Sequence, residues 1–129
     1  MPFLPVTPAF FAALHDASVE HFVFEADRGR LLLTLLLDSE SGPSHRQQQV
    51  VLSGIRHKTD VERVHRSFKA ALSKTGRTAL GYRLDEFRLL PPEALQREQG
   101  RLNVLLAIDH LPALHLDCQK ITSQEGDFL

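Results

Sequence analysis

A chain of 129 residues that is 43% hydrophobic and 24% charged is neither membrane-like nor disordered, and it can bury one continuous core without disulfide or metal staples. Its longest apolar run falls far short of the roughly 18–20 residues that cross a bilayer, so no membrane association is expected. The single Cys118 cannot form an internal disulfide, which fits a reducing compartment, and the expected location is the cytoplasm. Arginine outnumbers lysine by eleven to four, a bias that hints at a GC-rich bacterial genome.

Residues 1–8 are broken by Pro2, Pro5 and Pro8 and read as an extended segment. The stretch 1–16 (MPFLPVTPAFFAALHD) is apolar enough to raise a secretory leader, but it lacks a basic leading region and is broken by these prolines, so export is not expected. Pro8 can open a short helix over residues 9–14, since its missing N–H would have no partner at a helix start. His15-Asp16-Ala17-Ser18 ends that helix. Two apolar runs, 19–25 and the leucine-dense 30–37 (RLLLTLLL), flank Ala26-Asp27-Arg28-Gly29 and read as a β-hairpin. The second run is apolar on both faces, which places it centrally in a sheet. Residues 38–44 (DSESGPS) form a surface loop, and the valines of 45–55 argue for a third strand.

Thr59-Asp60-Val61-Glu62 fits a capping box, and Val61, Val64, Phe68 and Leu72 make one apolar stripe at helical spacing. With Gly76 as a left-handed stop, residues 60–75 are predicted to be an amphipathic helix packed on the sheet. Residues 78–90 alternate through Leu80, Tyr82 and Leu84, continue to Phe87, Leu89 and Leu90, and must end at Pro91-Pro92, as one bent strand or two short ones. A polar connector, 93–100, leads to a hairpin of 101–108 and 113–121, turned at 109–112. In its second arm Leu114, Leu116 and Cys118 share one face and His115, Asp117 and Gln119 the other. Residues 122–129 read as a frayed tail. With no repeat and no dividing linker, residues 1–129 are expected to be one α+β domain. Its architecture would be a mainly antiparallel sheet of about five to seven strands with one amphipathic helix on one face.

The His15-Asp16-Ala17 turn, the Tyr82-Arg83-Leu84-Asp85-Glu86-Phe87 strand and the closing hairpin together resemble a group of small bacterial β-rich domains. In that group a His-Asp-small residue turn leads into a two-stranded start. The group has no established activity, so the resemblance implies a fold and leaves function open.

Several constellations invite chemistry. His15-Asp16 and Asp109-His110 combine imidazole with carboxylate, as a divalent metal would require, but sequence neighbours rarely ligate together and Asp16 can equally cap a turn. His21, His115 and Asp117 lie on predicted strands, where His115 and Asp117 share a face and lack a third ligand. Cys118 is in phase with the core, which argues against a nucleophile. No G-x-S-x-G elbow, phosphate loop or dinucleotide fingerprint occurs, and no cofactor is expected. Asp85 and Glu86 would fall on opposite strand faces and read as solvated charge.

Charge distribution carries the most functional information. Between residues 45 and 77, eight cations (Arg46, Arg56, Lys58, Arg63, Arg66, Lys69, Lys74, Arg77) face two anions (Asp60, Glu62), while the remainder holds about seven net negative charges. The favoured expectation is a non-enzymatic interaction module, of the accessory or toxin-neutralising kind, docking a protein with an acidic surface. The first alternative is a nucleic-acid-binding domain using Arg56, Lys58, Arg63 and Arg66, although the segment's one aromatic ring, Phe68, belongs to the core stripe. The second is a metal-dependent hydrolase using histidines with Asp16. Sheet edges could also pair copies of the chain.

Overall fold

The computed structural model describes residues 8–37, 46–76 and 81–125. The order of elements is α1 (Pro8–Ala13), β1 (Ser18–Glu25), β2 (Arg30–Leu37), β3 (Arg46–Ser53), α2 (Thr59–Thr75), β4 (Tyr82–Leu90), α3 (Ala94–Glu98), β5 (Leu102–Ile108), β6 (Leu114–Cys118) and β7 (Lys120–Glu125). The strands form one antiparallel sheet in the order β6-β5-β4-β1-β2-β3-β7. The α+β architecture expected from the sequence is therefore the observed one, with β2 near the centre of the sheet. The proline-rich start and the loop 38–44 fall mostly outside the described residues.

β6 and β7 lie at opposite ends of the strand order, yet only Gln119 separates them in the chain. The sheet must curl until its first and last strands meet. At that seam the Arg56 N–H donates to the Asp117 carbonyl at 2.9 Å and the Gln119 N–H to the Ser53 carbonyl at 2.9 Å. The outer edge of β6 carries this bridge at Asp117.

The inner face follows the two-residue period of each strand. Leu31, Leu33 and Leu35 stand opposite Leu52, Val50 and Gln48, and the row continues through Ile121 and Ser123 on β7. Val104, Leu106, Leu114, Leu116 and Cys118 bury the other half. The sheet departs from regularity between β1 and β4, which pair only at Ser18↔Arg83 and Val19↔Tyr82. There α2 lays Phe68 against Phe22 (ring centroids 6.1 Å apart) and Tyr82 (6.3 Å), and His65 Nδ1 accepts the Phe24 N–H at 3.1 Å. The helix thus supplies β1 with the acceptor that β4 does not.

Four expectations need correction. Helix α2 begins at Thr59, and Lys58 precedes it with helical dihedrals and no side-chain cap, so the Thr59–Glu62 capping box does not form; the Glu62 N–H bonds the Lys58 carbonyl instead. The polar connector contains a short helix, α3, closed by a reciprocal box between Glu93 and Gln96. The closing arm is two strands, because the chain leaves β5 at Gln119 to pair with β3. Residues 122–125 consequently belong to β7 and not to a frayed tail.

Candidate functional site

The seam creates a polar concavity. Beyond β3 the chain turns at Gly54, whose φ of 67° suits glycine, and a Cβ there would stand 2.6 Å from that of Gln119. This close approach permits the bridge that carries Arg56 and His57 onto the outer side of β6. His57 is itself held at a φ of 56°, in the left-handed region that a residue with a Cβ seldom occupies. Below them the buried Arg101 donates Nε–H to Asp117 Oδ1 at 2.5 Å and Nη2–H to the Gly54 carbonyl. One guanidinium therefore fixes β5, β6 and the turn after β3.

The resulting cleft holds about 350 Å³ between α3 and β6, with Arg56, His57, Gln99 and His115 on its walls and Leu95 at its rim. Several of its acceptors are already engaged. Gln99 Oε1 takes an N–H of Arg56 at 2.6 Å, Gln96 Oε1 takes the Glu93 N–H at 2.8 Å, and the Glu93 side chain accepts the Gln96 N–H in the capping box. Asp117 Oδ1 is taken by Arg101. The remaining N–H groups of Arg56, the side-chain amides of Gln96 and Gln99 and two imidazoles line the cleft together with Asn103 and the carboxylates of Glu93 and Asp117. Family models, curated proteins and solved structures offer no match to this chain.

The four cations expected to form one binding surface do not converge. Arg56 lines the polar cleft, whereas Lys58 turns the other way and donates to the Ala26 carbonyl at 2.7 Å. Arg63 pairs with Asp60 at 3.3 Å on the exposed side of α2, and Arg66 lies exposed along the same helix.

The histidine–carboxylate pairs also separate. His15 and Asp16 are exposed and 3.4 Å apart, and Asp16 adopts a φ of 65° while its N–H donates to the Leu84 carbonyl. That backbone role accounts for the turn motif. His110 packs on Tyr82, with ring centroids 4.9 Å apart. His115 and Asp117 do share the outer face of β6, but Asp117 is committed to Arg101. Among the described residues no three His, Cys, Asp or Glu side chains gather as a metal site requires.

Cys118 is buried, as its phase with Leu114 and Leu116 implied, and desolvation pushes its thiol up to about 12. Asp85 and Glu86 are both exposed, on a strand whose register shifts between Leu84 and Glu86. A second concavity of about 370 Å³ is largely apolar and lies between α1 and β4, lined by Phe11, Phe87 and Leu89 among others. Sequence reasoning passed over Arg101, His57 and Gln99, none of which sits in a local motif. No helix among the described residues is long and apolar enough to cross a membrane.

Proposed function

We propose that the chain is a non-enzymatic interaction module that docks an acidic protein partner on the solvent face of α2. The observation that carries this reading is the helix from Arg63 to Gly76, which contains no carboxylate and presents exposed Arg66, Lys69 and Lys74. Among the described residues no acid pairs with any of these three cations. The exposed Ser67, Ala70 and Ser73 lie between them, so a partner's surface can approach closely while the longer cations reach its carboxylates. The rest of the chain is net acidic and would repel the same partner, which favours one docking orientation.

A tagged wild-type protein and the charge-reversed variant Arg66→Glu/Lys69→Glu/Lys74→Glu test this in nuclease-treated lysate, with captured proteins identified by mass spectrometry. The wild type should hold one stoichiometric acidic protein that the variant loses, with affinity falling as salt rises. Capture that survives charge reversal would remove the helix from the interface. Binding that disappears with nuclease treatment would assign the face to nucleic acid instead.

A further inference from the structure

We infer that the cleft between α3 and β6 is a binding site for a small phosphate-bearing ligand, held chiefly by Arg56, His57 and His115. This site is separate from the α2 face and does not depend on a protein partner. Two observations support the site, and the first points to an anion. The first is the state of the charged groups: the Asp117 carboxylate is paired with Arg101 and the Glu93 carboxylate accepts the Gln96 N–H, while the guanidinium of Arg56 retains N–H groups beyond the one given to Gln99. A planar guanidinium offers paired, charge-assisted donors to phosphate oxygens, and imidazoles add further donors.

The second observation is the left-handed backbone at His57, with a φ of 56°. The bridge of Arg56 to Asp117 and the buried Arg101 guanidinium under Gly54 hold the adjoining chain in place. Such conformations persist where their surroundings over-determine them, and they collect at ligand sites. Here the consequence is a pair of neighbouring cationic and imidazole side chains delivered from one rigid turn, opposite His115 on β6. The volume of about 350 Å³ exceeds what a bare phosphate fills and matches the lower end of small-molecule pockets. Leu95, which is 61% exposed at the rim, offers an apolar seat for the organic portion.

The test is two-dimensional NMR of the full chain titrated separately with inorganic phosphate, phenyl phosphate and benzoate. Saturable shifts should appear at His57, Gln99 and His115, with phenyl phosphate binding more tightly than either of the others. Arg56→Gln should weaken phenyl phosphate about tenfold or more, and His115→Ala should weaken it by a smaller factor. Both side chains are exposed and neither replacement removes core packing. Arg88→Gln, which alters a cation paired with Glu86 away from the cleft, should leave binding unchanged. Absence of saturable shifts, shifts spread over α2, or an Arg56→Gln variant that binds normally would overturn the proposal. Benzoate binding as tightly as phenyl phosphate would also overturn it, by showing a carboxylate site.

Discussion

Between β1 and β4 only two residue pairs are laddered and α2 covers the rest, whereas between β6 and the chain leaving β3 one bridge is laddered and an ion pair completes it. Both seams arise because a strand departs from its neighbour while backbone groups still need partners. The first is sealed by a neutral contact, His65 Nδ1 accepting the Phe24 N–H, backed by the Phe22–Phe68 stack. The second is sealed by a charge, with Arg101 bonded to Asp117 and to the Gly54 carbonyl. Regular ladders in this sheet rest on many interchangeable apolar residues; each seam has only a few backbone bonds and is completed by one polar side chain. The charged seam also shapes the cleft, so the ion pair that stabilises the sheet there also sets the form of the concavity.

The largest effect should come from breaking the charged seam. Arg101→Leu leaves Asp117 beside the core without its cation and deprives the Gly54 carbonyl of its donor. Loss of one partner of a buried pair costs about 3–5 kcal/mol, and the lower end applies because the Asp117 side chain retains 17% exposure. Urea denaturation should show this as a lower midpoint with an unchanged slope. The double variant Arg101→Leu/Asp117→Leu should recover part of the loss, since it removes the stranded charge. A single variant as stable as the wild type would show that backbone bonds alone hold the seam.

The same contrast explains what could be read from the sequence. The leucine-rich hairpin, the Val61–Val64–Phe68 stripe and the inward phase of Cys118 each depend on periodicity within a few residues, and the structure places them as the periodicity implied. Elements at the charged seam were not legible because their causes lie far apart in sequence. Residues 122–129 read as a tail because an inward position holds Ser123, yet Ser123 is buried and its Oγ accepts the Gln48 amide at 2.7 Å. The break at Gln119 depends on the packing of Gly54, and the role of Arg101 depends on Asp117 sixteen residues on. Clustering of Arg56, Lys58, Arg63 and Arg66 in sequence misled for a related reason. A turn and a helix start lie between them, so they point to three environments.

An intermediate effect is expected at the neutral seam. His65→Leu keeps an apolar body beside Phe22 but leaves the Phe24 N–H without its acceptor, which should cost about 1–3 kcal/mol. His65→Gln can present an amide oxygen and should cost less. The comparison is sharpest in hydrogen exchange: His65→Leu should speed exchange of the Phe24 amide, whereas Arg101→Leu should speed exchange at Arg56 and Gln119, whose N–H groups bond across the other seam. If both variants loosened both sets equally, the seams would belong to one cooperative unit and the contrast between them would dissolve.

The smallest perturbation uses Cys118 as a reporter, with no substitution at the thiol itself. It is fully buried in β6 next to the charged seam, and burial holds its thiol at about 12, so alkylation of the native chain at neutral pH requires opening. Arg101 acts on this thiol in the opposite direction, because its positive charge favours the thiolate. Removing Arg101 therefore makes the closed-state thiol less reactive, and any acceleration of labelling in Arg101→Leu must come from exposure. We expect Arg101→Leu to label faster than the wild type and His65→Leu to label more nearly at the wild-type rate, followed by mass spectrometry under native conditions. Slower labelling in Arg101→Leu would mean that the seam stays shut and the guanidinium acts on Cys118 only through its charge. A modest rise in pH should speed labelling of a thiol that reacts without opening, as its thiolate fraction grows. A rate that stays limited by opening should follow stability instead, which separates chemistry at the sulfur from motion of the strand that carries it.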